Sequence, residues 1–214
     1  MIVHSAATVV RWTRFSAPLP YDLTHSVQIA IRANDIDSCD YGWMTTRAAR
    51  RSVTCCILPL KPEVMDLLGQ RAASYRTADI TPDRADLVLN MEEIDLSDES
   101  VDTVMANHVL EHVNDRKALS EIRRILRPGG PAILTTPVIF SWQKSYENPR
   151  FQTEEDRFRH FGQQDHIRYF DRDIEEHIQE AGLKLDIVTA GGEMSARHAL
   201  IRGDAIFLAS RPDT

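Results

Sequence analysis

Residues 101–137 read VDTVMANHVLEHVNDRKALSEIRRILRPGGPAILTTP, and they decide the fold because they predict a strand, a helix and a second strand in succession. The strand covers residues 101–106, the helix 115–127 and the second strand 131–136. Pro128-Gly129-Gly130 ends the helix, since proline cannot continue a helix and glycine readily adopts positive φ. Such a unit places the two strands parallel, with the helix on one face. The apolar residues of the helix recur at helical spacing: Leu119, Ile122, Ile125 and Leu126.

The end of the first of these strands is the expected place for chemistry. Ligands of open parallel sheets bind beyond the carboxyl ends of the strands, and Asn107 and His108 follow the strand directly. His108-x-x-Glu111-His112 also matches a pattern found in zinc peptidases. This copy begins at a strand end, so we predict no metal and interpret Glu111 and His112 as helix-start residues, the glutamate favoured by the helix dipole.

The motif in this stretch resembles a known family. The run HVLEH, followed by ALSEIRRILRPGG and by a strand that ends in Pro137, is similar to class I S-adenosylmethionine (SAM)-dependent methyltransferases. The resemblance covers residues 53–210 and implies a Rossmann-like α/β fold, with about seven mostly parallel strands, an antiparallel last strand and helices on both faces. It also implies SAM as the cofactor. Residues 1–52 would be an N-terminal extension, and 53–214 the methyltransferase domain.

The composition is that of an ordinary soluble protein. The chain has 214 residues, of which 43% are hydrophobic and 27% charged. It contains no apolar run of 18 residues, so we predict no membrane span. Arginines interrupt the apolar N-terminal segment, which argues against a signal peptide. Cys39, Cys55 and Cys56 form no CxxC pair, so we expect a reducing, cytoplasmic location.

Charge separates the N-terminal segment from the body of the chain. Residues 1–53 carry a net charge of +2, which leaves −9 for the remainder of a chain whose total is −7. An acidic body argues against a nucleic-acid partner and favours a small-molecule acceptor. In methyltransferases of this fold such an extension often covers the active site or binds the acceptor. A structural arm or a homodimer contact is an equal alternative.

The rest of the chain continues the alternation of strands and helices. We predict a helix that starts at Pro62 and ends near residue 70. Two further helices are predicted at 150–161 and 173–181, and Gly191-Gly192-Glu193 lies where a closing antiparallel hairpin would turn. The remaining strands are predicted at 53–60, 74–78, 86–90, 184–190 and 205–209.

The turn after the first strand departs from the family pattern. Class I methyltransferases usually have glycines there, but residues 58–63 read LPLKPE. A proline-and-glutamate turn written hFAPE is typical of one subgroup and resembles this segment, which implies that Leu58, Pro59 and Glu63 bind the cofactor. The alternative is a degenerate site in a protein that no longer binds SAM.

The resemblance assigns further cofactor residues at strand ends. Asp79 would accept hydrogen bonds from the ribose hydroxyls, or else cap a turn. Asn90 stands where relatives often have an aspartate beside the adenine amino group, and Met91 would pack on the base. A loop cap is the alternative for Asn90. Asn107 and His108 would face the sulfonium and the methyl group.

A long insertion carries the acceptor candidates. Residues 161–169, FGQQDHIRY, resemble the FGQxDHxRxY run of the same subgroup. His166, oriented by Asp165, is a candidate general base, and Arg168 could hold an acceptor carboxylate through two hydrogen bonds. Alternatively, Asp165, His166 and Arg168 form a clasp that fixes the loop. The aromatic candidates either line an acceptor pocket or pack the loop down: Trp142, Tyr146 and Tyr169.

We therefore predict methyl transfer from SAM to a small molecule by in-line displacement. A hydroxyl acceptor would need a base, for which His108 and His166 are the candidates, whereas an ionised carboxyl acceptor would need none. The alternative is a non-catalytic binding or partner protein on the same fold. A nicotinamide dehydrogenase is disfavoured because the chain has no GxGxxG motif.

Overall fold

The computed structural model describes residues 53–57, 74–192, 196 and 202–213, and of 53–57 only the backbone. The predicted N-terminal extension, its boundary at residue 52, the turn at 58–63 and the helix after Pro62 lie outside these residues, and they stay predictions. The strands are β1 (Val53–Ile57), β2 (Ser74–Asp79), β3 (Leu87–Val88), β4 (Thr103–Asn107), β5 (Pro131–Thr135), β6 (Tyr146–Glu147), β7 (Arg168–Tyr169), β8 (Lys184–Thr189) and β9 (Ala205–Ser210). The helices are α1 (Asp115–Ile125), α2 (Glu154–Phe161) and α3 (Ile174–Glu180), with a 3₁₀ turn at Leu110–His112.

Seven of the described strands form one mixed sheet in the order β3-β2-β1-β4-β5-β9-β8. The pairs from β3 to β5 are parallel, and β9 runs antiparallel to both β5 and β8. The prediction of a Rossmann-like α/β sheet is confirmed at this level. None of the described helices is long and apolar enough to cross a membrane.

The order in which strands are added to the sheet reverses between β1 and β4. The chain winds outward from β1 to β2 and β3 on one side, and from β4 to β5 on the other. Open parallel sheets bind ligands at such a switch point, beyond the carboxyl ends of the strands. Ile57 pairs with Ala106 on β4 and with Ala78 on β2, near the carboxyl ends of these strands. Asn107 follows Ala106, so it lies at the switch point, in the crevice where a ligand would bind.

Helix α1 is positioned by its cap and by its apolar face. The Asn114 side chain accepts a hydrogen bond from the backbone N–H of Lys117 and caps the first turn. Burying one apolar face at helical spacing fixes the helix against the sheet, and that face consists of Ala118, Leu119, Ile122 and Ile125. The helix ends at Ile125, within two residues of the end that the sequence predicts.

The turn after α1 needs both of its glycines. Gly129 has φ of 73°, in the left-handed region. A side chain on Gly130 would lie 2.8 Å from the Arg127 carbonyl oxygen and 2.9 Å from that of Asp102. The turn therefore lets the chain enter β5 directly beside β4.

Two elements differ from the sequence prediction. The insertion folds into a two-stranded antiparallel pair, β6 with β7, which its sequence did not predict. Strand β3 is short because Asn90 bridges back to Glu93. The pairing of β8 with β9 is antiparallel, as predicted, and it continues through hydrogen bonds between Ala190 and residues 203 and 204.

Candidate functional site

The carboxyl end of β4 carries a buried amide with an unused donor. Asn107 is 1% exposed, and its Oδ1 accepts a hydrogen bond of 3.2 Å from the Thr135 hydroxyl. Its Nδ2 is buried and has no hydrogen-bond partner among the described residues. An unpaired buried donor costs free energy, so this nitrogen is a candidate ligand contact.

His108 turns the chain away from the sheet in a strained conformation. Its φ is 51°, a left-handed conformation that non-glycine residues adopt mainly where the surroundings enforce it. The backbone N–H of His108 donates to the Thr135 carbonyl oxygen at 2.9 Å and fixes this turn against β5. As a result the imidazole lies at the strand end, where the sequence predicted it.

Glu111 orients the His108 ring. Nδ1 of His108 lies 3.1 Å from Glu111 Oε1, and the Thr136 hydroxyl donates to Oε2 at 2.9 Å. With Nδ1 donating to the carboxylate, Nε2 of His108 carries the lone pair, and this atom is buried without a partner in the described part of the chain. The geometry is that of a histidine base held by a carboxylate.

The charge on Glu111 is maintained despite its burial. Burial alone would raise the pKa of this carboxyl, which is 1% exposed, but the hydrogen bond from His108 holds the pKa below its ordinary value. The sequence analysis interpreted Glu111 only as a helix-start residue. No local pattern announces the contact between His108 and Glu111, because it depends on the left-handed turn at His108.

The insertion returns against the 3₁₀ turn and brings His166 to the same place. The backbone N–H of Ile167 donates to the Glu111 carbonyl oxygen at 3.0 Å. The His112 and His166 rings meet edge to face, with centroids 4.7 Å apart. His166 is 3% exposed, and burial lowers the pKa of its imidazole although the Glu111 charge opposes this.

Arg168 is held by groups of the protein itself. Its guanidinium forms ion pairs with Asp115 at 2.8 Å and with Glu147 at 2.9 Å. It also donates to the carbonyl oxygen of Val113 at 2.9 Å. These partners are not the Asp165 and His166 of the predicted clasp, and the role of Arg168 in binding an acceptor carboxylate stays a prediction.

The aromatic candidates form one cluster on the insertion. Tyr146 pairs with Tyr169 across β6 and β7, and its hydroxyl lies 3.0 Å from His160 Nδ1. Trp142 meets Tyr146 edge to face and is 46% exposed. Phe161 is fully buried against both tyrosines. The cluster packs the loop, and its exposed edge at Trp142 is the part open to a ligand.

The remaining cofactor candidates lie at the ends of β2 and β3. Asp79 is half-buried, and its Oδ1 accepts a hydrogen bond of 2.7 Å from the Thr81 N–H. Asn90 is exposed, and its Oδ1 caps the N–H of Glu92 at 3.0 Å, as the loop-cap alternative predicts. Met91 is buried in the core, at 4% exposure. Leu58, Pro59 and Glu63 lie outside the described residues.

The site suits a polar ligand in the crevice. The Asn107 amide, whose Nδ2 has no partner among the described residues, lies beside the His108 imidazole at the end of β4, and the Asp79 carboxylate lies at the end of β2, two strands away. A nucleoside with a charged amino-acid tail needs separated polar contacts of this kind. The described residues therefore fit SAM.

Sequence comparisons find similarity to methyltransferases over part of the chain. The model of a family described as "Methyltransferase domain" matches residues 37–134. An uncharacterized methyltransferase of Mycobacterium bovis is 36% identical over 89 residues, which are 42% of this chain and 33% of the relative. The match thus spans about a third of the length of the curated relatives, which include proteins of Mycobacterium tuberculosis.

Solved structures share the fold. A SAM-dependent methyltransferase from Archaeoglobus fulgidus is 12% identical, with a TM-score of 0.58 over 88% of this chain and 94% of the other. A Burkholderia thailandensis 1,6-didemethyltoxoflavin-N1-methyltransferase, solved with 1,6-didemethyltoxoflavin and S-adenosylhomocysteine, is 15% identical, with a TM-score of 0.52 over 93% and 94%. The described residues therefore have the fold of SAM-dependent methyltransferases, and residues 37–134 match the methyltransferase-domain model, as the central motif predicted.

Proposed function

We propose that this protein transfers a methyl group from SAM to a small-molecule acceptor in the crevice at the carboxyl ends of β1 and β4. The observation that carries the proposal is the pair of His108 and Glu111, which leaves a buried imidazole nitrogen without a partner, among the described residues, at the switch point of the sheet. A purely structural histidine would be expected to satisfy both ring nitrogens.

The cofactor residues are proposed from their positions. Asp79 would hold the ribose, Asn107 would donate its free Nδ2 proton to the amino-acid part, and Asn90 would contact the adenine edge. Leu58, Pro59 and Glu63 would also bind the cofactor, as the resemblance implies, and Met91 would support the base from the core side. SAM supplies, when bound, a methyl group that its sulfonium already activates. Positioning in such a site can contribute about 7–11 kcal/mol of barrier lowering.

His108 is our candidate for the base. Its Nε2 would accept the proton of a hydroxyl acceptor, and the anionic Glu111, which is hydrogen-bonded to Nδ1–H, would stabilise the resulting imidazolium. The carboxylate also holds the ring in the tautomer that leaves Nε2 free. An acceptor that is already ionised would need only the positioning, and its reaction would not depend on Glu111.

A small acceptor agrees with the acidic body of the chain and with the partly exposed aromatic edge at Trp142. Tyr146 and Tyr169 would support that edge, and Arg168 would hold the loop. The 1,6-didemethyltoxoflavin bound to the structurally similar Burkholderia enzyme supports the same class of acceptor. The cysteine pattern supports a cytoplasmic location.

The first experiment is calorimetric titration with SAM and with S-adenosylhomocysteine. Binding in the micromolar range, tighter for the product, supports the proposal. If a cooperatively folded protein binds neither ligand at millimolar concentration, the non-catalytic alternative takes its place.

The second experiment tests the base. Formation of S-adenosylhomocysteine is measured with hydroxyl and with carboxyl acceptors, for the wild type, His108→Gln and Glu111→Gln. With hydroxyl acceptors we expect turnover to fall by about 10²–10⁴-fold in His108→Gln, the usual contribution of a general base. Carboxyl acceptors should lose far less. Equal losses for both acceptor classes would remove the base role and leave His108 as a positioning residue.

A further inference from the structure

We propose that Glu111, His112 and His166 together bind a divalent transition-metal ion. One ligand atom of each of these residues lies within 4.8 Å of those of the other two. The set joins two sequence motifs that lie more than fifty residues apart, the HVLEH run and the FGQQDHIRY run. It differs from the His108 and His112 pair of the peptidase-like pattern, because His108 turns toward Glu111 instead.

A backbone hydrogen bond holds together the two segments that carry the three residues. The Ile167 N–H bond to the Glu111 carbonyl oxygen holds the returning insertion against the 3₁₀ turn. The edge-to-face contact of the two rings, with centroids 4.7 Å apart, then sets His112 and His166 side by side. Around a tetrahedral zinc ion the donor atoms lie about 3.4 Å apart, given bonds of about 2.0–2.2 Å. Small side-chain rotations would bring the three donors to that spacing.

Each histidine has a nitrogen available for the ion. Nδ1 of His112 lies 3.3 Å from the Asp165 carbonyl oxygen and 3.4 Å from its carboxylate. Since a carbonyl oxygen only accepts, Nδ1 is the donor and Nε2 has the lone pair. A metal-bound histidine commonly gives its other ring N–H to such a group. His166 is 3% exposed, and its Nδ1 is buried with no hydrogen-bond partner among the described residues.

The donor set indicates the class of ion. Two imidazoles and one carboxylate suit Zn²⁺ and other first-row divalent ions, and are a poor set for Ca²⁺ or Mg²⁺, which prefer oxygen ligands. Three protein ligands leave a coordination position for water or for an acceptor atom. The Oε1 and Oε2 atoms of Glu111 also accept bonds from His108 and Thr136, so metal binding would be coupled to the orientation of His108.

The test is metal binding by the full chain without SAM, so it does not rest on the proposed function. Protein stripped with a chelator is titrated with Zn²⁺ in a calorimeter and with Co²⁺ in an absorption spectrometer. We compare the wild type with His112→Gln and His166→Gln, and with His160→Gln as the control. His160 is exposed and contacts Tyr146 and Phe151, outside the three-residue set.

We expect about one equivalent of Zn²⁺ in the wild type and in His160→Gln, with an affinity that falls at least about tenfold in the two other variants. Co²⁺ should give visible absorption bands that those variants lose. His112→Gln is the decisive variant if His166→Gln does not fold, because the His112 side chain is 26% exposed and its loss leaves a smaller defect. Absence of stoichiometric Zn²⁺ binding, or equal affinity in His112→Gln and His160→Gln, would overturn the site.

Discussion

At the scale of single residues, the contact between Gly162 and Tyr169 fixes the end of α2 against β7. Gly162 follows the helix with φ of 73°, and its N–H closes the last turn on the Phe158 carbonyl oxygen. A β-carbon at this position would lie 2.7 Å from the Tyr169 hydroxyl oxygen. Both the backbone conformation and the close approach therefore require glycine.

Gly162→Ala should destabilise the protein by about 1–3 kcal/mol, through the positive φ and the clash together. Gly191→Ala is the matched control, because a β-carbon there would meet nothing within 4 Å, and it should change the free energy of unfolding by less than about 0.5 kcal/mol. Denaturant unfolding measures both. Repeating Gly162→Ala in a Tyr169→Phe background separates the two causes, since only the clash depends on the hydroxyl. Equal stability of the two alanine variants would contradict the contact.

The site residues show what a sequence can and cannot predict at this scale. Asn107 and His108 were predicted because a strand end is readable from local hydrophobicity. The partnership of His108 with Glu111 was not, because it depends on the left-handed turn at His108, which no local pattern announces. The approach of His166 to His112 depends on the fold of the whole insertion, whose contacts are distant in sequence.

At the scale of elements, Asp115 joins three of them. It begins α1, and its carboxylate accepts from His177 on α3 at 2.6 Å and from Arg168 on β7 at 2.8 Å. Burial alone would raise the pKa of Asp115, but the His177 hydrogen bond and the Arg168 charge hold the pKa below its ordinary value. Arg124 similarly ties α1 to the chain after β3 through the carbonyl oxygens of Ile94 and Leu96.

Asp115→Asn should lower the free energy of unfolding by about 3 kcal/mol near neutral pH, because it leaves the buried Arg168 with less compensating charge. Asp98→Asn is the control, since Asp98 pairs with Arg124 at 2.7 Å but its side chain is 74% exposed; the loss should stay within about 1 kcal/mol. Denaturant unfolding of both variants and the wild type is the measurement. A loss in Asp115→Asn no larger than that in Asp98→Asn would make the cluster energetically unimportant.

The same carboxylate predicts a pH dependence. A group whose pKa is lower in the folded than in the unfolded state contributes stability above its unfolded pKa, and this is lost as the pH falls through the folded value. The difference between the wild type and Asp115→Asn should therefore be constant at neutral pH and shrink below about pH 4. A difference that persists unchanged into strong acid would show that the pKa of Asp115 is not lowered by folding.

A helix or strand could be predicted from the sequence where its own residues carry a local pattern. Helix α1 and strands β4 and β5 were predicted to within two residues because caps, apolar periodicity and the Pro-Gly-Gly turn agree. The β6–β7 pair was missed because its two-residue strands are separated by twenty residues and have no alternating pattern. Helix α2 starts four residues later than predicted, at the Thr153 cap, whose hydroxyl accepts from the Asp156 N–H.

At the scale of the whole molecule, burial falls from the centre of the sheet toward its edges. Strands β4 and β5 are almost entirely buried, whereas the edge strand β8 alternates exposed and half-buried residues and presents Lys184 and Asp186 to solvent. Charged side chains on an edge strand discourage pairing with another chain. The sheet thus has a stable centre and an edge that is expected to open locally.

Hydrogen exchange of the native protein should follow this order. The hydrogen-bonded amides of β4 and β5 should exchange slowest and only through global unfolding, so low concentrations of denaturant should accelerate their exchange strongly. The amides of β8 that bond to β9 should exchange faster, and their exchange should depend little on denaturant. If β8 is instead as protected as β4, its edge is covered. A repeat at lower protein concentration then distinguishes the sources: protection that falls on dilution indicates pairing with a second copy, a homodimer of the kind that the sequence analysis gave as one alternative. Protection that stays constant indicates cover from within the chain.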